Sequence, residues 1–183
     1  RADTDPLQVA LREASQLLAS QPARAAQRAA AILKSNPGQP QAALILGVAR
    51  RVGGNLDGAL QVLVPLARAQ PGWAPPSYEV GVALGLAGRR SEAVEWLRRA
   101  VRLKADIGDA WRLIAEHLFA LGDPAGADAA HANHLIAATL DARLAAPATA
   151  LLENRLAEAE SLLRAHLADS PTDVVAIRMQ AEV

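Results

Sequence analysis

An all-α solenoid of stacked antiparallel helix pairs is the fold this 183-residue sequence predicts. Three observations lead there. The chain is 51% hydrophobic but only 3% aromatic, so its core is made of Ala, Leu and Val; Ala and Leu head the helix scale, and β-branched runs are scarce. The segments GNLDGAL, GRRSEAV, GDPAGAD and NRLAEAE each set a turn-former five residues ahead of an alanine, at Ala59, Ala93, Ala127 and Ala159, with steps of 34, 34 and 32 residues. Counting back 34 from Ala59 reaches Ala25 in SQPARAAQ, a first copy. Twelve residues after these five alanines stand Pro37, Pro71, Ala105, Thr139 and Pro171, of which three are proline, a residue that cannot continue a helix.

The period divides a single array, residues 1–183, into repeats at about 6–39, 40–73, 74–107, 108–139 and 140–173, with a last helix at 174–183. Within a repeat the two helices are separated by Gly54, Gly88, Gly122 or Asn154, residue types that accept the left-handed conformation at a helix end. Small residues at Gly47, Gly81 and Ala115 let the first helix approach the second, where Ala59, Ala93 and Ala127 receive it. Leu63, Leu97 and Leu163 fill the space further along. Neither helix buries its apolar face alone, so the pairs have to stack. The step from the fourth to the fifth repeat is two residues short, lacks the dividing proline and places Pro147 inside a first helix. Proline is tolerated there only in the first turn, and a change of superhelical twist is expected at this junction. The last helix carries Val174, Ile177 and Ala181 on one face. It reads as the start of a sixth unit rather than a polar lid, and it offers an exposed surface for self-association.

The recurring positions resemble the tetratricopeptide repeat, W-x2-L-G-x2-Y followed by A-x3-F and then A and P. ALILGVAR supplies Leu46-Gly47, SYEVGVAL supplies Val80-Gly81, and WRLIAEHL has Trp111 at the tryptophan place with Ile114-Ala115 at the Leu-Gly place. The resemblance runs from about Pro6 to Val183 in five phased copies. It implies a right-handed superhelix that binds a peptide or protein segment in its concave groove, against defined positions of the first helices. The polar or aromatic occupants of those positions are Gln41, Arg51, Tyr78, Glu79, Asp109, Arg112, Glu116, Phe119 and Arg178. Asp109, Arg112 and Glu116 share one helix face close to Phe119, a mixed-charge patch beside an aromatic that suits an extended segment or an amphipathic helix. The alternative is that Asp109 caps its helix while Arg112 pairs with Glu116 in solvent. The places where related arrays hold Lys, Arg and Asn to grip a carboxylate tail carry Leu44, Val48, Tyr78 and Val82 here, which argues against a two-carboxylate clamp.

A second, narrower resemblance covers residues 121–183. That run is similar to the amino-terminal repeats of bacterial proteins in which a tetratricopeptide array precedes a sulfotransferase domain, by its short fourth unit and the junction LLRAHL…PTDVVAIRM. It implies a recruiting arm for an enzyme outside this chain. The basic residues, two lysines and otherwise arginine, fit a GC-rich bacterial source.

Catalytic signatures are absent: there is no phosphate-cradling G-x-x-x-x-G-K-[ST], no G-x-G-x-x-G, no G-x-S-x-G and no H-E-x-x-H. The chain is therefore read as a scaffold and not an enzyme, with no cofactor. Zero cysteines rule out disulfides and thiolate sites, and no apolar run spans a bilayer. Nineteen basic and nineteen acidic side chains leave no basic excess for nucleic acid or an anionic membrane, so the expected partner is a protein and the expected compartment the cytoplasm. The chain opens on Arg1 rather than Met, which reads as a fragment whose targeting signals are lost. His131 and His134, three residues apart in GADAAHANHLIAA, are spaced for a metal with His117 as a third ligand. In the repeat register, however, His131 takes the place of Leu63, Leu97 and Leu163. His134 takes the place of Ile32, Leu66, Ala100 and His166, facing the next unit. Both are read as seam residues with a hydrogen-bonded nitrogen, and no metal is expected.

Overall fold

A computed structural model describes residues 5–139, 144–169, 173–181 and 183. Among the described residues every regular element is an α-helix and none is a strand. They are α1 (Pro6–Gln16), α2 (Pro22–Ser35), α3 (Pro40–Val52), α4 (Leu56–Ala69), α5 (Ala74–Leu86), α6 (Arg90–Leu103), α7 (Gly108–Ala120), α8 (Pro124–Thr139), α9 (Ala145–Leu152), α10 (Leu156–Asp169) and α11 (Val174–Gln180).

Local chemistry starts and stops them. Proline opens α1, α2, α3 and α8, where its missing N–H costs nothing. The Asp5 side chain accepts from Leu7 N at 3.0 Å, Gln39 from Ala42 N at 2.8 Å and Asn55 from Gly58 N at 2.9 Å, satisfying first-turn donors. The first helices α3, α5, α7 and α9 end in one repeated device. Gly54, Gly88 and Gly122 have φ of 83°, 76° and 82°, and Asn154 does the same work at 56°. The following N–H then reaches back: Asn55 to Arg50 O (2.9 Å), Arg89 to Leu84 O (2.9 Å), Asp123 to Leu118 O (2.9 Å) and Arg155 to Ala150 O (2.8 Å). Pro37, Pro71 and Ala105 lie outside helices. Thr139 instead lies within α8; Pro171 lies outside the described residues.

The chain divides into two units, residues 1–99 and 100–183. In the first, α2 packs on α1 and α3, and α4 packs on α3 and α5; α3 also touches α1 and α5, which makes the first helices neighbours. The glycine seam is as close as the sequence implies. A Cβ at Gly47 would sit 2.4 Å from Leu63 Cγ, and one at Gly81 2.6 Å from Leu97 Cγ. Ala59, Leu63, Ala93 and Leu97 are wholly buried. On the second helices, Arg99 lies 5.3 Å over the Trp96 ring and donates from Nη2 to Ala67 O at 3.0 Å, tying α6 to the last turn of α4.

In the second unit α7 packs on α8, α8 on α9, α9 on α10 and α10 on α11. Pro147 is the third residue of α9, inside its first turn, as its tolerance requires. The junction expected to change the twist falls on residues 140–143, outside the described set. Leu144, Ala148, Leu163, Ala176 and Met179 form one buried cluster. The buried side of α11 is thus Ala176 and Met179, while Ile177 is 47% exposed. Ile177 and Ala181 are exposed, while Ala176 and Met179 pack with Leu163; the Val174 side chain lies outside the described residues. His166 Nε2 meets Asp173 Oδ2 at 2.9 Å, and Asp173 Oδ1 accepts from Ala176 N at 3.2 Å, so one carboxylate joins α10 to the start of α11.

Candidate functional site

The first helices carry two separate surfaces, one in each unit. In the first unit, α1 and α3 lie side by side and leave a cavity of about 380 Å³ between them. Gln8, Leu11, Arg12 and Ser15 of α1 line it, with Gln41, Leu44 and Ile45 of α3 and the Trp73 indole at the start of α5. Its floor is apolar and its rim is made of amides, a hydroxyl and one guanidinium. That combination accepts an apolar side chain while offering hydrogen bonds to the main chain around it. Of these residues only Gln41 was picked out from the sequence. Gln8, Arg12 and Ser15 lie on α1, in the first repeat, where the resemblance names no groove position, and Trp73 precedes α5 instead of lying on a helix face. The available signal was the repeat register, which makes α1 a first helix beside α3.

Arg51, Tyr78 and Glu79 belong to the same unit. Arg51 Nε donates to Glu79 Oε2 at 2.7 Å, and the two side chains are 19% and 14% exposed. The pair spans neighbouring first helices, α3 and α5. Burial pushes the Glu79 carboxyl above its ordinary value, and the adjacent Arg51 pulls it part of the way back. Tyr78, next in sequence, is half-buried.

In the second unit, Arg112 is the hub of α7. Its Nε lies 3.4 Å from Asp109 Oδ1, and its Nη1 donates to Glu116. The arginine is 20% exposed against 42% and 55% for its partners. Asp109 sits in the first turn of α7 without capping it; the N-cap is Ile107, which makes no side-chain cap. Phe119 follows Glu116 by three residues and is 72% exposed, the most open of the large hydrophobics. Arg178 lies on α11, and its side chain is outside the described residues.

The histidines resolve into neighbours with different surroundings. The His131 and His134 ring centroids are 6.1 Å apart. His134 is wholly buried, with Nδ1 2.9 Å from Gly108 O. Its hydrogen bond is therefore to the first helix of its own repeat and not to the next unit, because Gly108 brings the start of α7 against the ring. A Cβ there would come within 3.4 Å of Nδ1. Among the described residues His134 Nε2 is buried without a partner. Among the described residues no group of three or more His, Asp or Glu is placed to hold a metal, and no helix is long and apolar enough to cross a membrane.

No family model matches the chain, and no curated protein matches its sequence. Solved structures do resemble it. A MamA structure from MSR-1 is 24% identical with a TM-score of 0.60, covering 75% of this chain and 79% of that one. One from AMB-1 is 24% identical with a TM-score of 0.59, covering 73% and 74%. MamA from residue 41 to its end, of Desulfovibrio magneticus RS-1, is 18% identical with a TM-score of 0.65, covering 73% and 76%. At these identities the likeness is one of fold: the chain shares the tetratricopeptide-type helical-repeat fold of those MamA structures.

Proposed function

We propose that this chain is a protein-interaction scaffold, binding rather than catalytic, that takes a peptide or protein segment along its first helices. The observation that carries the reading is the α1–α3 cavity closed by Trp73, an apolar floor with a hydrogen-bonding rim on the helices such arrays use for ligands. In the first unit the contact residues are Gln41, Arg51, Tyr78 and Glu79; in the second they are Asp109, Arg112, Glu116, Phe119 and Arg178. Exposed Phe119 beside a charge cluster has the make-up of an interface anchor. A peptide selected on the chain from a random library tests this. Exchanging the charges, Arg112→Glu with Glu116→Arg, keeps an (i, i+4) pair and so keeps the helix, while reversing what a ligand meets. Together with Tyr78→Ala it should weaken the selected peptide by at least about tenfold, about 1.4 kcal/mol. Unchanged affinity would move the site off the first helices.

A second reading, the recruiting arm of a bacterial sulfotransferase, rests on the resemblance of residues 121–183 alone. The complete reading frame tests it: a following domain with a phosphate-cradling loop supports it, and any other sequence there counts against it.

A further inference from the structure

The formal charge of zero is the sum of two opposite units. Residues 1–99 hold twelve basic and seven acidic side chains, and residues 100–183 hold seven and twelve, giving +5 and −5 with histidine neutral. The imbalance is sharpest on the second helices. In the first unit α2 carries Arg24, Arg28 and Lys34 with no acidic residue, α4 sets Asp57 against Arg68, and α6 up to residue 99 sets Glu92 and Glu95 against Arg90, Arg98 and Arg99, a net +4 over the three. Lys34, Arg68, Arg90 and Arg98, on α2, α4 and α6, are exposed and make no ion pair among the described residues. In the second unit α8 and α10 carry Asp128, Glu158, Glu160 and Asp169 against Arg164 alone. Glu158 and Glu160 are held by Arg155 and Arg164, while Asp128 and Asp169 stay exposed without an ion pair among the described residues. The first helices differ, because their charges are already spent on each other, as Arg51 is on Glu79 and Arg112 on Asp109 and Glu116.

We propose that the basic second-helix face of the first unit docks on the acidic second-helix face of the second unit in another copy of this chain. The occupant follows from charge. A foreign polyanion attracted by the first unit is repelled by the second, whereas a second copy presents an equal and opposite surface to each. The contact joins two different patches, so it closes as a two-fold pair when made twice and builds a ring or chain when made once per copy. It leaves the first helices open, and it does not use α11. Because the pairs are exposed, the association is weak and strongly salt-dependent: the Debye length shrinks from roughly 30 Å at about 0.01 M salt to about 8 Å at 0.15 M.

Sedimentation velocity on the whole chain tests this at about 20 mM and about 300 mM salt, conditions on either side of that screening range. The wild type should self-associate at low salt and weaken by at least about tenfold at high salt. The triple variant Arg68→Glu/Arg90→Glu/Arg98→Glu and the double variant Asp128→Arg/Asp169→Arg should each be monomeric at low salt, with circular dichroism confirming that both are folded. Their equimolar mixture should associate again, since each then meets a complementary surface. A monomeric wild type at low salt overturns the proposal. So does association indifferent to salt and to both variants, or a monomer that binds a short single-stranded DNA tightly. If either variant fails to fold, the salt dependence of the wild type decides alone. Peptide capture on the first helices is a separate readout, so either proposal can fail while the other stands.

Discussion

The α3–α4 pair closes on Gly47 against Leu63, whereas the α7–α8 pair has Ala115 and His131 at the same places of the period. In the first seam the second-helix residue is wholly buried and reaches the first-helix backbone, so only glycine fits opposite it. In the second, His131 is half-buried, and the tight polar contact sits one turn further on, where wholly buried His134 meets Gly108 O. One register thus tolerates two closures. One is apolar and set by side-chain size against the backbone; the other holds a buried imidazole with one hydrogen bond. Mutation separates how far each depends on volume and how far on that bond.

The largest effect belongs to the apolar seam. Leu63→Ala should cost about 3–5 kcal/mol in urea unfolding, the loss expected for a buried leucine whose neighbours relax only partly. Gly47→Ala should cost about 1–3 kcal/mol by overpacking, despite the better helix propensity of alanine. With Leu63→Ala already present, the same Gly47→Ala change should become neutral or stabilising. Additive losses would mean that the two residues are not in the contact described.

The polar seam should respond to volume more than to chemistry. His134→Leu gives up a hydrogen bond but also removes a buried nitrogen that has no partner, so stability should stay within about 1 kcal/mol of wild type. His134→Ala leaves the volume empty and should cost about 2–4 kcal/mol. A leucine variant as damaged as the alanine one would show that the bond to Gly108, not packing, holds the pair.

The smallest effect sits on the largely buried pair between α3 and α5, Arg51 and Glu79. Burial raises the Glu79 carboxyl above the ordinary value of 4.5, so the folded chain holds that proton more tightly than the unfolded one. The sign follows by linkage. The contribution of this group is fully present below the unfolded value and is lost as pH rises through the folded one. Measured against Glu79→Gln, the wild type should therefore lose relative stability as pH rises across that window in paired urea titrations. The opposite slope would mean that the Arg51 guanidinium outweighs burial.

Much of this could be read before any coordinates. A spacing of 34 depends only on residue types that glycine, proline and alanine mark unambiguously, so the helix pairs and their left-handed turns follow from it. Asn154 could be placed beside three glycines for that reason, and Pro147 in a first turn because no other position would spare it. What escaped depended on side chains meeting across repeats. Arg51 and Glu79 are 28 residues apart, and nothing in the period says that they pair rather than face a ligand. The register turns His134 towards the next unit, but it gives a direction and not which backbone comes near; Gly108, the first residue of α7, brings that helix to the ring. The Trp73 wall of the cavity went unnoticed because it precedes its helix instead of lying on a patterned face. Which side of α11 packs was not legible, because seven residues carry too little periodicity to choose a face.

The central claim is that first helices receive the ligand. Amide hydrogen exchange on the chain, with and without a library-selected peptide at saturation, tests it most directly. The account predicts new protection in α1, α3 and α5 around Trp73, or in α7 from Arg112 to Phe119, with α4 and α8 unchanged. Protection confined to α4, α8 or α10 would contradict it.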